Sequence, residues 1–169
     1  FIYIFAHDFN KMRKKTIDAV LRSSWNAVSK MYNREASKFD STMATGFALL
    51  NIEPDGTPSS SLGPKLGMES TSLSRLLNSM ENKKLIERQP NPMDGRGVLI
   101  FLTPFGKEKR DDSKSVVLSF NQVVEKKLSD IQIKHFFEVA DFITEESRIF
   151  EQAENRLHAQ QALLSCLLN

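Results

Sequence analysis

The chain of 169 residues is poor in several things, and each shortage removes a class of protein. Its single cysteine, Cys166, excludes a disulfide framework and a cysteine-built zinc site. Three histidines, His7, His135 and His158, stand far apart with no H-x-x-x-H spacing, so the sequence supports no metal centre. No apolar run approaches the roughly 20 residues of a membrane helix. Phe1 to Ala6 is apolar but too short, and no basic segment precedes it as in a signal peptide. Nucleophile elbow, P-loop and dinucleotide fingerprint are all missing, which argues against an enzyme and against a bound cofactor. With 40% hydrophobic and 26% charged residues, the composition is that of a globular protein, and a cytoplasmic location is expected.

Charge is present but unevenly spread. Residues 57–110 carry nine basic and five acidic side chains, whereas residues 111–169 carry six and ten. A basic middle with an acidic end suits one segment that meets a polyanion and another that makes protein contacts.

Hydrophobic spacing divides the chain further. Ile17, Leu21, Val28 and Tyr32, with Trp25 on the flank, recur at helical spacing and predict a helix over 14–38. A second helix is expected from Thr42 to Asn51, stopped by the turn residues Glu53-Pro54-Asp55-Gly56. Thr57-Pro58 reads as an N-cap followed by proline at the first helical position, opening a helix that Gly63-Pro64 and Gly67 keep short. From Ser70 to Asn82, Leu73, Leu76, Leu77 and Met80 form an i, i+3, i+4, i+7 stripe. Two short helices about a glycine turn have the size and order of a helix-turn-helix. Leu85–Gln89 and Val98–Thr103 then read as two strands joined by a loop crowded with Pro, Asn, Asp and Gly. Beyond Pro104 the chain is helical, over about Phe105–Lys127 and Asp130–Leu164. In the last helix Phe136, Ile143, Phe150, Leu157 and Leu164 recur every seven residues, with Val139, Ala153 and Leu167 as companions interrupted by Glu146 and Gln160. That seam, together with Phe137 and Phe142, needs a partner.

With the leucine stripe of 70–82 turned inward, the opposite face shows Thr71, Ser74, Arg75 and Asn78, with Ser70 and Ser72 near the helix start. An arginine fork bonds guanine, asparagine bonds adenine, and hydroxyls serve bases or phosphates. Lys65 and Arg88 lie on the flanks, placed for the DNA backbone. Between the strands, Arg96 sits flanked by Gly95 and Gly97, a tip suited to a narrow, negative minor groove, with Asp94 expected to orient it.

Leu62-Gly63-Pro64-Lys65-Leu66-Gly67-Met68-Glu69, running into Ser70-Thr71-Ser72-Leu73-Ser74-Arg75-Leu76-Leu77, resembles the helix-turn-helix of the multiple-antibiotic-resistance regulator (MarR) family. Leu85-Ile86-Glu87-Arg88 is similar to the first wing strand. Asp94-Gly95-Arg96, then Leu102-Thr103-Pro104-Phe105-Gly106, resembles the wing pattern Asp-x-Arg followed by Leu-Thr-x-x-Gly. The resemblance implies a mainly α fold with a small β-wing. A winged helix-turn-helix lobe (42–110) is expected between N-terminal (1–41) and C-terminal (111–169) dimerisation helices.

The function so implied is a transcription factor that binds double-stranded DNA as a homodimer. Its recognition helices enter successive major grooves and its wing arginines the flanking minor grooves of a pseudo-palindromic operator. A small aromatic or anionic effector is implied as well, and Trp25, Tyr32, Phe39, Phe47 and Phe105 are the residues that would line its pocket. Three positions depart from the family pattern: Gly63-Pro64 in the first helix of the motif, Glu69 at the cap, and Lys84 where glycine is favoured. The competing reading is a winged-helix dimer that serves as a protein-interaction module without operator binding. Cys166, among leucines and without a neighbouring cation to lower its pKa, reads as packing rather than a sensor.

Overall fold

The computed structural model describes residues 16–167 except Asp94 and Arg96, and the side chains at 157–160 and 162–167 are likewise outside the description. The element order is α1 (Ile17–Ser37), α2 (Met43–Leu50), β1 (Thr57–Pro58), α3 (Ser59–Leu66), α4 (Ser70–Asn82), β2 (Ile86–Pro90), β3 (Val98–Leu102), α5 (Pro104–Glu125) and α6 (Asp130–Leu167). It is a mainly helical fold with a small antiparallel sheet. The chain divides after Leu118 into two compact units.

The first unit is built around the sheet and the short helices. Leu49 and Ile52 from the end of α2, Leu62 from α3, Leu73, Leu77 and Met80 from α4, and Ile86, Ile100 and Leu102 from the strands form one buried cluster. The stripe on α4 therefore does what its spacing predicts, with Leu76 half-buried at its edge. Helix α3 closes on Gly67, whose φ of 61° lies in the left-handed region, while the Met68 amide donates to the Gly63 carbonyl at 2.9 Å. Helix α2 is capped by Thr42, whose hydroxyl accepts from the Thr45 amide at 3.2 Å.

The sheet extends one expectation and corrects another. It has three strands in the order β1-β3-β2, with Thr57 opposite Ile100 and Pro58 opposite Leu99, so a short third strand joins the two expected strands of the wing. Thr57 is accordingly not a helix cap. It is buried, and its hydroxyl accepts from the Glu53 amide at 2.8 Å, closing the preceding turn, while Pro58 takes the cap position of α3. Proline fits there because an edge strand needs no amide from it.

Helix α1 buries none of its residues, and Ile17, Val20, Leu21 and Trp25 stand exposed along it. The second unit holds the end of α5 and all of α6. Its long helix begins with a capping box: the Gln132 side chain accepts from the Ser129 amide at 2.9 Å, and the Ser129 hydroxyl accepts from the Gln132 amide at 3.3 Å. Phe136, Phe137, Val139, Phe142 and Phe150 are all more than half exposed on α6. Leu157 and Leu164 of the heptad row, and Cys166, have side chains outside the described residues, as does His158, while His7 lies outside altogether.

Candidate nucleic-acid interface and an aromatic cavity

The turn after α4 aims that helix at the wing. Lys84 has a φ of 56°, the left-handed conformation that glycine adopts freely, and the Leu85 amide donates back to Met80 at 2.9 Å. The family pattern's glycine is thus replaced by lysine without loss of the turn. The Thr103 hydroxyl donates to the Lys84 carbonyl at 2.6 Å and accepts from the Gly106 amide at 2.9 Å, tying the turn to the end of β3 and capping α5. Thr103 and Gly106 of the Leu-Thr-x-x-Gly run therefore serve the joint between wing and helix.

On α4, Ser70, Thr71, Ser72, Ser74, Arg75 and Asn78 are all exposed, as is Lys65 on α3. Thr71, Ser74, Arg75 and Asn78 share one face at i, i+3, i+4 and i+7. Ser74 already donates its hydroxyl to the Ser70 carbonyl at 2.8 Å, so it faces outward as an acceptor. Glu69 caps the helix start with extended backbone but makes no side-chain cap bond. Arg88, on β2, comes to this helix rather than standing apart. Its Nη2 donates to Asn78 Oδ1 at 2.7 Å, and its Nη1 lies 3.1 Å from Glu81 Oε2. The hairpin is closed by the Asn91 amide donating to Gly97 at 3.0 Å, with Met93 almost fully exposed in the loop. Asp94 and Arg96 lie outside the described residues.

A cavity of about 350 Å³ opens between the end of α1, α2, the α4–β2 turn and the start of α5. Four of the five expected aromatics, Tyr32, Phe39, Phe47 and Phe105, line it. Trp25 does not; it stacks on the far side against Phe47 with ring centroids 6.5 Å apart, because it sits nearly two turns before Tyr32 on α1. Sequence reasoning missed Lys109, which also lines the cavity. Lys109 Nζ lies 5.7 Å from the Phe39 ring and 5.5 Å from the Phe105 ring, and pairs with Asp112 at 2.9 Å and Glu108 at 3.1 Å. Its pKa is raised, first by the bond to Asp112 and then by Glu108. Lys83, also on the wall, donates to the Asp40 carbonyl at 2.6 Å and lies 3.2 Å from its carboxylate. Burial raises the Tyr32 hydroxyl above its ordinary value. Among the described residues no cluster of His, Cys, Asp and Glu is placed to hold a metal, and no helix is long and apolar enough to cross a membrane.

The MarR family model matches residues 48–97, from α2 to the wing loop. The winged lobe is a MarR-family lobe. A MepR–DNA complex from Staphylococcus aureus superposes with a TM-score of 0.72 at 21% identity, over 79% of this chain and 99% of that one. PcaV from Streptomyces coelicolor, in complex with its natural ligand, gives 0.65 at 21% identity, over 76% and 92%. At such identities the likeness speaks for the fold alone. A different short match, 70% identical over 27 residues, is to ornithine carbamoyltransferase of Prochlorococcus marinus. It spans 16% of this chain and 9% of that enzyme, too little for a domain of its own, and carries no carbamoyl-transfer chemistry to the MarR lobe.

Proposed function

We propose that this chain is a sequence-specific DNA-binding transcriptional regulator that works as a homodimer on a pseudo-palindromic operator. The observation that carries the reading is the outward row on α4, where hydroxyls, an arginine and an asparagine stand exposed on a helix whose other face is locked into the core. In this role Arg75 and Asn78 meet base edges, and Ser70, Thr71, Ser72 and Ser74 meet bases or phosphates near the helix start. Lys65 meets the DNA backbone, and Arg96, steadied by Asp94, enters the minor groove from the wing.

The exposed apolar rows of α1 and α6 supply what a second copy buries, with residues 1–41 and 111–169 as the dimerisation segments and 42–110 as the DNA lobe. The aromatic cavity takes a small effector. Its wall includes Lys83 and Leu85, directly after the recognition helix, so an occupant acts on the turn that aims α4. That the two wall lysines are already paired with carboxylates favours an aromatic over an anionic occupant.

The test is fluorescence anisotropy across a salt series, with DNA from upstream of the chain's own gene against a scrambled duplex. Salt-sensitive binding that prefers the upstream duplex is expected. Binding to no duplex in a genome-wide selection of fragments at any salt would overturn the reading in favour of a protein-interaction module.

A further inference from the structure

We propose that Arg88 does not touch DNA but sets the base preference of Asn78, turning it from an adenine reader into a reader of acceptor edges. The inference rests on the DNA-binding reading of α4 and adds to it which base chemistry one position selects. An unrestrained asparagine matches adenine with both ends of its amide, accepting from N6 and donating to N7. Here one of the two lone pairs of the amide oxygen already accepts from Arg88, which leaves that end a weaker acceptor for adenine N6. The guanidinium has only donors, so the atom it meets at 2.7 Å must be the amide oxygen, and the Asn78 Nδ2 group is the end left for the groove. A pair of donors presented alone suits guanine N7 and O6 or thymine O4.

The second arm of the fork fixes the first. Arg88 Nη1 is 3.1 Å from Glu81 Oε2, so the guanidinium is held at Glu81 and at Asn78, residues three apart on one face of α4. Glu81 also neutralises the charge that would otherwise draw Arg88 to a phosphate. The Arg88 side chain is about one third exposed (32%), well short of the freedom of a backbone-seeking arm. Its strand is itself pinned, with Arg88 opposite Ile100 in the β2–β3 register. Arg88 is thus a positioning residue: it acts on DNA through the orientation of Asn78.

The experiment selects bound sequences from a pool of duplexes randomised over about 20 base pairs, the span of two half-sites one helical turn apart. It uses the full chain, the Arg88→Met variant, the Asn78→Ala variant and the double variant. The wild-type chain is expected to select guanine or thymine at one symmetric position of each half-site. Arg88→Met, which keeps the aliphatic stem and removes the donors, is expected to admit adenine there, reducing discrimination on the order of tenfold. Asn78→Ala, an exposed helix position that alanine suits, is expected to lose the preference at that same position, and adding Arg88→Met to it changes nothing further.

Adenine selected by the wild-type chain would overturn the proposal. So would an Arg88→Met variant that weakens binding equally on every duplex and flattens the dependence on salt by about one counterion, which marks a phosphate contact. If Arg88→Met melts before it can be assayed, the Asn78→Ala profile decides alone: an unchanged preference removes Asn78 as the reader. Selection of no sequence by the wild-type chain instead overturns the DNA-binding reading itself, an outcome distinct from the others because no variant would then differ.

Discussion

Gly106 and Leu85 meet backbone to backbone: a Cβ added to Gly106 would stand 1.8 Å from the Leu85 carbonyl oxygen and 2.9 Å from its carbon. No side-chain rotation relieves an overlap between two main chains. Gly106→Ala must therefore push the start of α5 away from the α4–β2 turn, breaking the Thr103 bonds that join them. A destabilisation of at least about 2–3 kcal/mol is expected in urea unfolding. A loss below about half a kcal/mol, the range of an ordinary surface change, would show that the packing of α5 on the turn is looser than described.

Lys84 carries the opposite signature. Its positive φ costs an L-residue about 1–2 kcal/mol, and its side chain is exposed. Lys84→Gly removes that strain but loosens the unfolded chain, so a net gain of roughly 0.5–1 kcal/mol is expected. Lys84→Ala keeps the Cβ and is expected to give no gain. Equal melting temperatures for the glycine and alanine variants would contradict a left-handed turn at this residue.

These two positions also show where the sequence was readable. The leucine stripe of α4 and the strands of the wing could be read because each is a local period, and Leu73, Leu77 and Met80 are buried as that period requires. The strand Thr57–Pro58 could not, because two residues carry no period and proline points away from a strand. Lys109 gave no signal, since its meaning comes from Phe39, far along the chain, folding over it. Arg88 and Asn78 were each legible as polar residues near the recognition face. Their bond was not, because it depends on the direction in which the Lys84 turn sends β2. Chemistry-bearing residue types were visible, whereas pairings across turns had to come from the fold.

The cavity has a pH signature of definite sign. Burial raises Tyr32, and the bond to Asp112 followed by that to Glu108 raises Lys109, so both groups hold their protons more tightly folded than unfolded. Their contribution is fully present below the ordinary tyrosine and lysine values and is lost as pH rises through the folded ones. The urea midpoint is expected to fall more steeply above about pH 10 in the wild-type chain than in Tyr32→Phe or Lys109→Met. Identical alkaline limbs in all three would mean that neither group is tied to the folded cavity.

Variants of Arg75 and Lys65 test the proposed division between base reading and backbone attraction. Arg75 is exposed on the face shared with Thr71, Ser74 and Asn78, whereas Lys65 is exposed on α3, before the turn into that helix. If Arg75 forks onto a base, Arg75→Ala costs about 1–3 kcal/mol on the selected duplex and little on a scrambled one. Lys65→Ala, as the loss of one phosphate contact, weakens both duplexes alike and lowers the salt slope by about one. Arg96→Ala is expected to weaken binding with the melting temperature unchanged, as the loss of a minor-groove contact alone requires. Anisotropy titrations of the three variants at several salt concentrations check all of this. An Arg75→Ala loss equal on both duplexes would make that arginine a phosphate contact and leave sequence choice to Asn78 and the hydroxyls.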